Sequence, residues 1–336
     1  MPQAQQPLVH VIGTGGSISF IGEIRTDFTD YSYANRHFSI AELLERIPEA
    51  QRIARIQSEQ FLNVGSPDIT LPQWLDLARR VNQVLHEDPA IAGVAITHGT
   101  ATLEETAYFL NLTVKDDRPV VLTGAMRPPT AMSTDADLNL LDAIRVAACP
   151  EARGKGVLVI LNNEIQAARD VTKSNSYRLE TFQTPHLGFL GYADADHQVV
   201  FYRAPTRLHT AQTPFDVQGV TQLPRVDIAY AYAGADDLVI RAFVDAGVRG
   251  IVAAGLGSGG SPPAFMRGLR EARARGTTVV ISSQTGSGRV VPTRRFREDG
   301  WVVADNLSPK KARILLLLAL TVTQDPEEIQ GMMRRY

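Results

Sequence analysis

The sequence predicts an α/β protein with a large N-terminal unit on a mostly parallel sheet and a smaller C-terminal α/β unit. Three observations carry this prediction. Short apolar runs of strand length, such as residues 90–96 and Val157–Leu161, alternate with segments of helical apolar period. That is the pattern of a parallel sheet covered by helices on both faces. Turns at the ends of two such strands are rich in glycine and threonine, at Gly13-Thr14-Gly15-Gly16-Ser17 and His98-Gly99-Thr100-Ala101-Thr102. A second strand–helix alternation begins near residue 225, after a stretch rich in Pro, Thr and Gln.

In chain order, Leu8–Ile12 reads as a buried strand ending at Gly13. Ser19–Phe38 is polar and aromatic without a period and reads as a long loop that holds Tyr31 and Tyr33. A loop of about 20 residues with no structure of its own is usually functional, often a lid. Ser39-x-x-Glu42 is a capping box for a short helix that stops before Pro48. Ile53–Leu62 reads as strand and connection, leading to Gly65-Ser66-Pro67-Asp68. Thr70-x-x-Gln73, with Pro72 in the first turn, opens a helix to about His86. The central strand 90–96 is followed by Thr102-x-x-Glu105, read as the capping box of a helix over 104–112. Pro119–Thr123 is a strand ending in Gly124-Ala125-Met126, 135–148 is helical, and Val157–Leu161 is a strand. Residues 202–224 read as a linker between domains at 1–201 and 225–336. In the second domain, 228–232, 250–254 and 277–282 are strands, and 235–246, 263–275, 310–321 and a short segment after Asp325-Pro326 are helices.

Composition removes several classes of function. The chain has 336 residues, 44% hydrophobic and 21% charged, with a net charge of -2, so neither nucleic acid nor an anionic membrane is an expected partner. Its single cysteine, Cys149, excludes an intramolecular disulfide. The seven histidines show no metal-ligand spacing, so no metal is expected. Met1–Pro7 lacks the pattern of a signal peptide. The longest apolar run, Ile314–Leu320, is far short of the roughly 20 residues a membrane span needs. A cytoplasmic protein is the resulting expectation.

A threonine hydroxyl is a weak nucleophile until a base takes its proton. Lys173, in the polar segment Arg169–Asn175, is a candidate base if desolvation or a neighbouring cation lowers its pKa. Tyrosines of the Ser19–Phe38 loop offer a second proton route. Backbone N–H groups of Gly15-Gly16 and Gly99-Thr100 are candidates to hold an oxyanion. The reaction class suggested is acyl transfer, with amide or ester hydrolysis the simplest case. Each feature has a plainer reading. The Gly-Thr-Gly-Gly turn alone suits a tight connection or a phosphate cradle. It is no dinucleotide fingerprint, because Ile18 stands where the third glycine belongs, and it lacks the P-loop lysine. Lys173 alone suits a solvated surface, His98 a structural hydrogen bond, Met126 packing, and Glu104 and Glu105 the electrostatics of a helix N-terminus.

Together the segments resemble the bacterial asparaginase/glutaminase family. Thr14-Gly15-Gly16-Ser17-Ile18 is similar to its first threonine signature and His98–Thr106 to its second. Leu122–Pro128, Asp170–Lys173 and Pro309–Arg313 are also family-like. The resemblance implies a large flavodoxin-like N-terminal domain, a smaller C-terminal α/β domain, and no cofactor. It implies homotetramers of tight dimers whose active sites lie at subunit interfaces. It further implies a threonine nucleophile at Thr14, with Tyr31 as its loop partner ahead of Tyr33, and Thr100 and Lys173 as the second threonine and its lysine. Gly15, Ser66, Pro67, Gly99, Ala101 and Ala125 would line the substrate, with Ser66 on its carboxylate.

Four positions depart from the family pattern. Ala101 stands where an aspartate is usual, and Pro67 where a glutamine or glutamate is usual. Thr293–Arg297 lacks the expected glutamate, although Glu298 lies nearby, and Gly255–Gly260 lacks an asparagine. Those groups hold the substrate's ammonium. Two expectations follow: asparaginase-like hydrolysis of L-asparagine to L-aspartate and ammonia, or hydrolysis of an amide, imide or lactone without a free α-amino group. A ligand-binding homologue without activity is the remaining alternative.

Overall fold

The computed structural model describes residues 6–336, and the chain folds as two units that meet in sequence between Gln212 and Thr213. The first unit contains β1 (Leu8–Gly15), α1 (Ile40–Glu45), α2 (Ala50–Ile53), β2 (Arg55–Val64), α3 (Leu71–Glu87), β3 (Ile91–Thr97) and α4 (Leu103–Thr113). It continues through β4 (Val120–Thr123), α5 (Ala136–Ala148), β5 (Val157–Leu161), β6 (Glu164–Ala167), β7 (Thr172–Lys173), β8 (Phe182–Gln183), β9 (Gly191–Ala193) and β10 (Val199–Phe201). Eight strands form one sheet in the order β10-β9-β6-β5-β4-β3-β1-β2. From β2 to β5 the neighbours are parallel, and every residue of β1, β4 and β5 is buried. Continuous apolar burial is what a strand covered on both faces requires.

The structure changes four expectations. The strand β1 does not stop at Gly13 but runs through Thr14 to Gly15, with its register against β2 shifting between Gly13 and Gly15. Gly15, at φ +100°, lets the strand continue past that irregularity. The capping box at Thr102 does not form. Its hydroxyl instead donates to the Ser66 carbonyl at 3.0 Å, and its N–H donates to Ser66 Oγ at 3.3 Å. The loop Ser19–Phe38 has structure of its own. A Phe20–His37 bridge and the bonds Ile21 N–H to Arg36 O and Phe38 N–H to Ser19 O pin its ends together.

The fourth change concerns the sheet, whose β6, β9 and β10 side is antiparallel. The cause is the turn Leu161-Asn162-Asn163-Glu164, in which both asparagines have positive φ (54° and 64°). Two consecutive residues there define a type I′ hairpin turn, which asparagine tolerates better than most side chains. Asn163 Nδ2 also donates to the buried Asp142 carboxylate at 2.7 Å.

The stretch 202–224 carries a 3-10 turn at Thr210–Gln212 and buries His209, Thr210, Phe215 and Val217. The second unit holds β11 (Val226–Tyr230), α6 (Leu238–Asp245), β12 (Gly250–Gly255), α7 (Pro263–Ala274), β13 (Thr278–Ser283), α8 (Arg294–Glu298), β14 (Val302–Val303), α9 (Pro309–Val322) and α10 (Pro326–Arg335). Its four strands are parallel in the order β11-β12-β13-β14. The helix α9 packs on β11, β12 and β13, with Ile314–Leu318 buried throughout. A helix apolar on all sides needs such cover. Among the described residues no helix is long and apolar enough to cross a membrane.

The I′ turn gives a stability test. Asn163→Ala loses both the tolerated backbone conformation and the bond to Asp142, and should cost about 2–4 kcal/mol in denaturant unfolding. Asn163→Gly keeps the conformation and loses only the bond, so its cost should be about half as large.

Candidate active site

The site is assembled from the carboxyl ends of adjacent strands, pressed together at glycines. After β1, Gly16 has φ +87°, and a Cβ there would lie 2.1 Å from the Gly99 Cα, beyond β3. A Cβ on Gly15 would lie 2.4 Å from the Val64 backbone of β2. A Cβ on Gly99 would meet Ser66 Cβ at 2.7 Å, and one on Gly124, after β4, would meet the His98 carbonyl at 2.5 Å and Thr100 Cγ2 at 3.0 Å. The two threonine turns therefore touch, backbone against backbone, with Ser66 packed alongside.

Within this cluster Thr14 is fully buried, and its hydroxyl donates to the Thr97 carbonyl at 2.7 Å. Thr100 is buried too, and Lys173 Nζ donates to its Oγ1 at 2.7 Å. Lys173 reaches it from the β7–β8 hairpin, where it pairs with Phe182. The lysine is thus part of the site and not a solvated side chain. Tyr31 is brought to the first turn by a 2.7 Å hydrogen bond between its hydroxyl and Ser17 Oγ, whereas Tyr33 is 93% exposed. Ser17 was visible in the turn, but its role was not, because only the folded loop shows what stands opposite it.

The expected oxyanion donors divide. The Gly16 N–H is committed to the Val64 carbonyl at 2.9 Å and is not free to serve. The amides of Gly99 and Thr100 have no acceptor among the described residues. Around them, Ser66 and Ala125 are buried, while Pro67 and Ala101 are exposed. In the second unit, Thr293 caps α8 by accepting the Phe296 N–H, and Glu298 is ion-paired with Arg294.

His98 lies between the turns with no exposed surface. Its Nδ1 is 2.8 Å from the Gly99 carbonyl, and burial lowers its pKa to about 4. The imidazole is neutral at physiological pH. Asp135 organises the turn after β4. It accepts the Met126 and Arg127 N–H groups at 2.9 Å each, while burial raises its pKa. Met126 is buried, as its packing role requires.

The class follows from a two-unit α/β scaffold, with two buried threonines and a lysine at strand ends of its first unit, taken together with the families it matches: the protein is a hydrolase of carbon–nitrogen bonds in linear amides. Residues 8–207 match the family "Asparaginase, N-terminal", and residues 225–333 match the "Glutaminase/Asparaginase C-terminal domain". The chain belongs to the asparaginase/glutaminase family. It is 44% identical to L-asparaginase 2 of Bacillus subtilis (strain 168) over 330 residues, covering 98% of this chain and 87% of that protein. It is 41% identical to L-asparaginase 2 of Escherichia coli (strain K12), covering 98% and 93%. The crystal structure of a probable cytoplasmic L-asparaginase from Campylobacter jejuni superposes with a TM-score of 0.94 at 39% identity, covering 98% of this chain and all of that one.

Two measurements check this geometry. Gly16→Ala forces a side chain onto Gly99 at positive φ and should cost at least about 3 kcal/mol of stability together with the site's activity. For His98, the ordinary pKa of 6.5 falls to about 4 on folding. Acid therefore protonates the unfolded chain first. The stability present above pH 6.5 should decline by about 3 kcal/mol as pH falls toward 4, and His98→Asn should flatten that part of the profile.

Proposed function

We propose that the chain hydrolyses the side-chain amide of L-asparagine to L-aspartate and ammonia, with Thr14 as the nucleophile. The observation that carries this reading is the 2.7 Å contact between Lys173 Nζ and Thr100 Oγ1, on a turn that touches the Thr14 turn through Gly16 and Gly99. Thr14 Oγ1 attacks the amide carbon and gives up its proton, the C–N bond breaks, and that proton reaches the leaving nitrogen through the Thr100–Lys173 pair, so that ammonia departs. Water then cleaves the resulting threonyl ester and regenerates the hydroxyl. The Gly99 and Thr100 amides are the donors placed to hold the oxyanion. Tyr31, bonded to Ser17, covers the threonine and assists its deprotonation. Ser66 binds the substrate carboxylate, and Gly15, Pro67, Ala101 and Ala125 line the remainder.

The relatives' names favour L-asparagine over an imide or a lactone. The exposed Ala101 and Pro67 leave the substrate ammonium without two of its usual partners, so binding is weaker than the family pattern allows. A cytoplasmic homotetramer of tight dimers is the assembly we expect, consistent with the description of the C. jejuni structure as cytoplasmic.

Steady-state ammonia release from a panel of L-asparagine, L-glutamine, succinamate and cyclic imides or lactones tests the substrate. L-asparagine should lead the panel, and a lead by succinamate would move the reading to substrates without an amine. Thr14→Ala should lower kcat on the order of 10⁴-fold with the fold intact, whereas activity close to the unaltered enzyme's would end the role of Thr14. Ala101→Asp restores a carboxylate at the exposed position that follows Thr100. It should raise kcat/KM for L-asparagine about tenfold, as one recovered charge contact predicts.

A further inference from the structure

The flap that carries Tyr31 is fastened along one edge to the turn between β4 and α5. The Gly22 N–H donates to Thr130 Oγ1 at 2.9 Å, and the Met132 N–H donates to the Arg25 carbonyl at 2.8 Å. The Arg127 guanidinium lies 5.0 Å from the centre of the Phe28 ring, at cation–π distance. These three contacts fall within residues 22–28 of the flap and 127–132 of the turn.

The turn is itself a rigid bracket. Asp135 holds the Met126 and Arg127 amides, and Asn139 Nδ2 donates to the Gly124 carbonyl at 2.9 Å. From α1, Arg46 donates to the Pro129 carbonyl at 3.0 Å and to both carboxylate oxygens of Asp137 on α5, at 2.9 and 2.8 Å. The flap side bears directly on the tyrosine: a Cβ on Gly22 would lie 3.0 Å from Tyr31 Cβ, and the Tyr31 hydroxyl meets Ser17. Whatever fixes Gly22 therefore fixes the backbone against which Tyr31 rests.

We propose that Thr130, supported by Arg127, is a positioning residue that sets the closed state of the flap and the place of Tyr31 over the Thr14 turn. It touches no reacting atom. Its hydroxyl accepts a backbone N–H that water would otherwise satisfy, so losing it shifts the flap toward its open state without disturbing the core. Its consequence for turnover rests on the reading that Tyr31 assists Thr14. Its consequence for the flap does not.

Thr130→Val removes the acceptor and keeps the shape. Arg25 and Arg36 are exposed on the flap, so trypsin reports its opening independently of catalysis. Cleavage after Arg25 should be about three- to tenfold faster in Thr130→Val, the factor expected for one hydrogen bond, with an unchanged thermal midpoint. KM for L-asparagine should rise by a similar factor with a smaller change in kcat, and Thr130→Ser should restore both. Arg127→Gln should move cleavage in the same direction by less, and it serves if Thr130→Val folds poorly. Cleavage at the rate of the unaltered protein in both variants overturns the proposal. Faster cleavage in a protein that does not turn over L-asparagine upholds the clamp and removes the substrate assignment instead.

Discussion

The contact on which the site depends is that of Gly16 with Gly99. Neighbouring parallel strands lie about 4.8 Å apart, and the two turns leave β1 and β3 as neighbours in the sheet. Side chains at these positions would hold the turns apart. Glycines let the backbones meet, and Gly15 against Val64, Gly99 against Ser66 and Gly124 against the His98 carbonyl extend the interlock across the ends of β2, β1, β3 and β4. Each hydroxyl of the site is attached to one of these ends. Its position follows from backbone packing and not from a flexible side chain, which is how a constellation holds its geometry before substrate arrives.

Burial then sets the charge state of that geometry. His98 is kept neutral inside the cluster, and Thr14 is fully buried with its hydroxyl donating to the Thr97 carbonyl. Positive charge enters through Lys173, which meets Thr100. Ala101, next to Thr100 in the chain, is exposed and brings no carboxylate of its own to that pair.

Much of this was legible because the local signals and the fold agree. Ser39-x-x-Glu42 and Thr70-x-x-Gln73 form the capping boxes their spacing predicts, and the apolar runs become buried strands. The order of the threonine and lysine segments pointed to one site. The signals that misled are those a distant partner overrides. Thr102 has the residues of a capping box, but Ser66, far away in sequence, takes its hydroxyl and amide. The Gly16 amide looks available in a glycine turn until Val64 on the next strand accepts it. The short β6–β10 strands lack a long apolar period, and Asn162-Asn163 is a local marker only of the turn from β5 to β6. The composition of 202–224 suggested a linker and gave no sign that Phe215 and Val217 would be buried.

The turn at Asn162-Asn163 bears on the placement of Lys173 as well as on topology. By reversing the chain after β5, Asn162-Asn163 makes β6 antiparallel and sets Gln166 facing the segment that follows. Gln166 Nε2 donates to the Phe182 carbonyl at 3.2 Å and Gln166 Oε1 accepts the Thr184 hydroxyl at 2.7 Å, which hangs β8 on β6. Lys173 sits on β7 and pairs with Phe182 of β8, so the lysine reaches Thr100 through a hairpin whose support is the antiparallel extension. The parallel half of the sheet supplies two hydroxyls at its strand ends. The β7–β8 hairpin, a separate two-stranded sheet hung on β6, supplies the amine that meets one of them. A sheet that continued in parallel after β5 would carry the chain away to a crossover and leave Thr100 without its lysine.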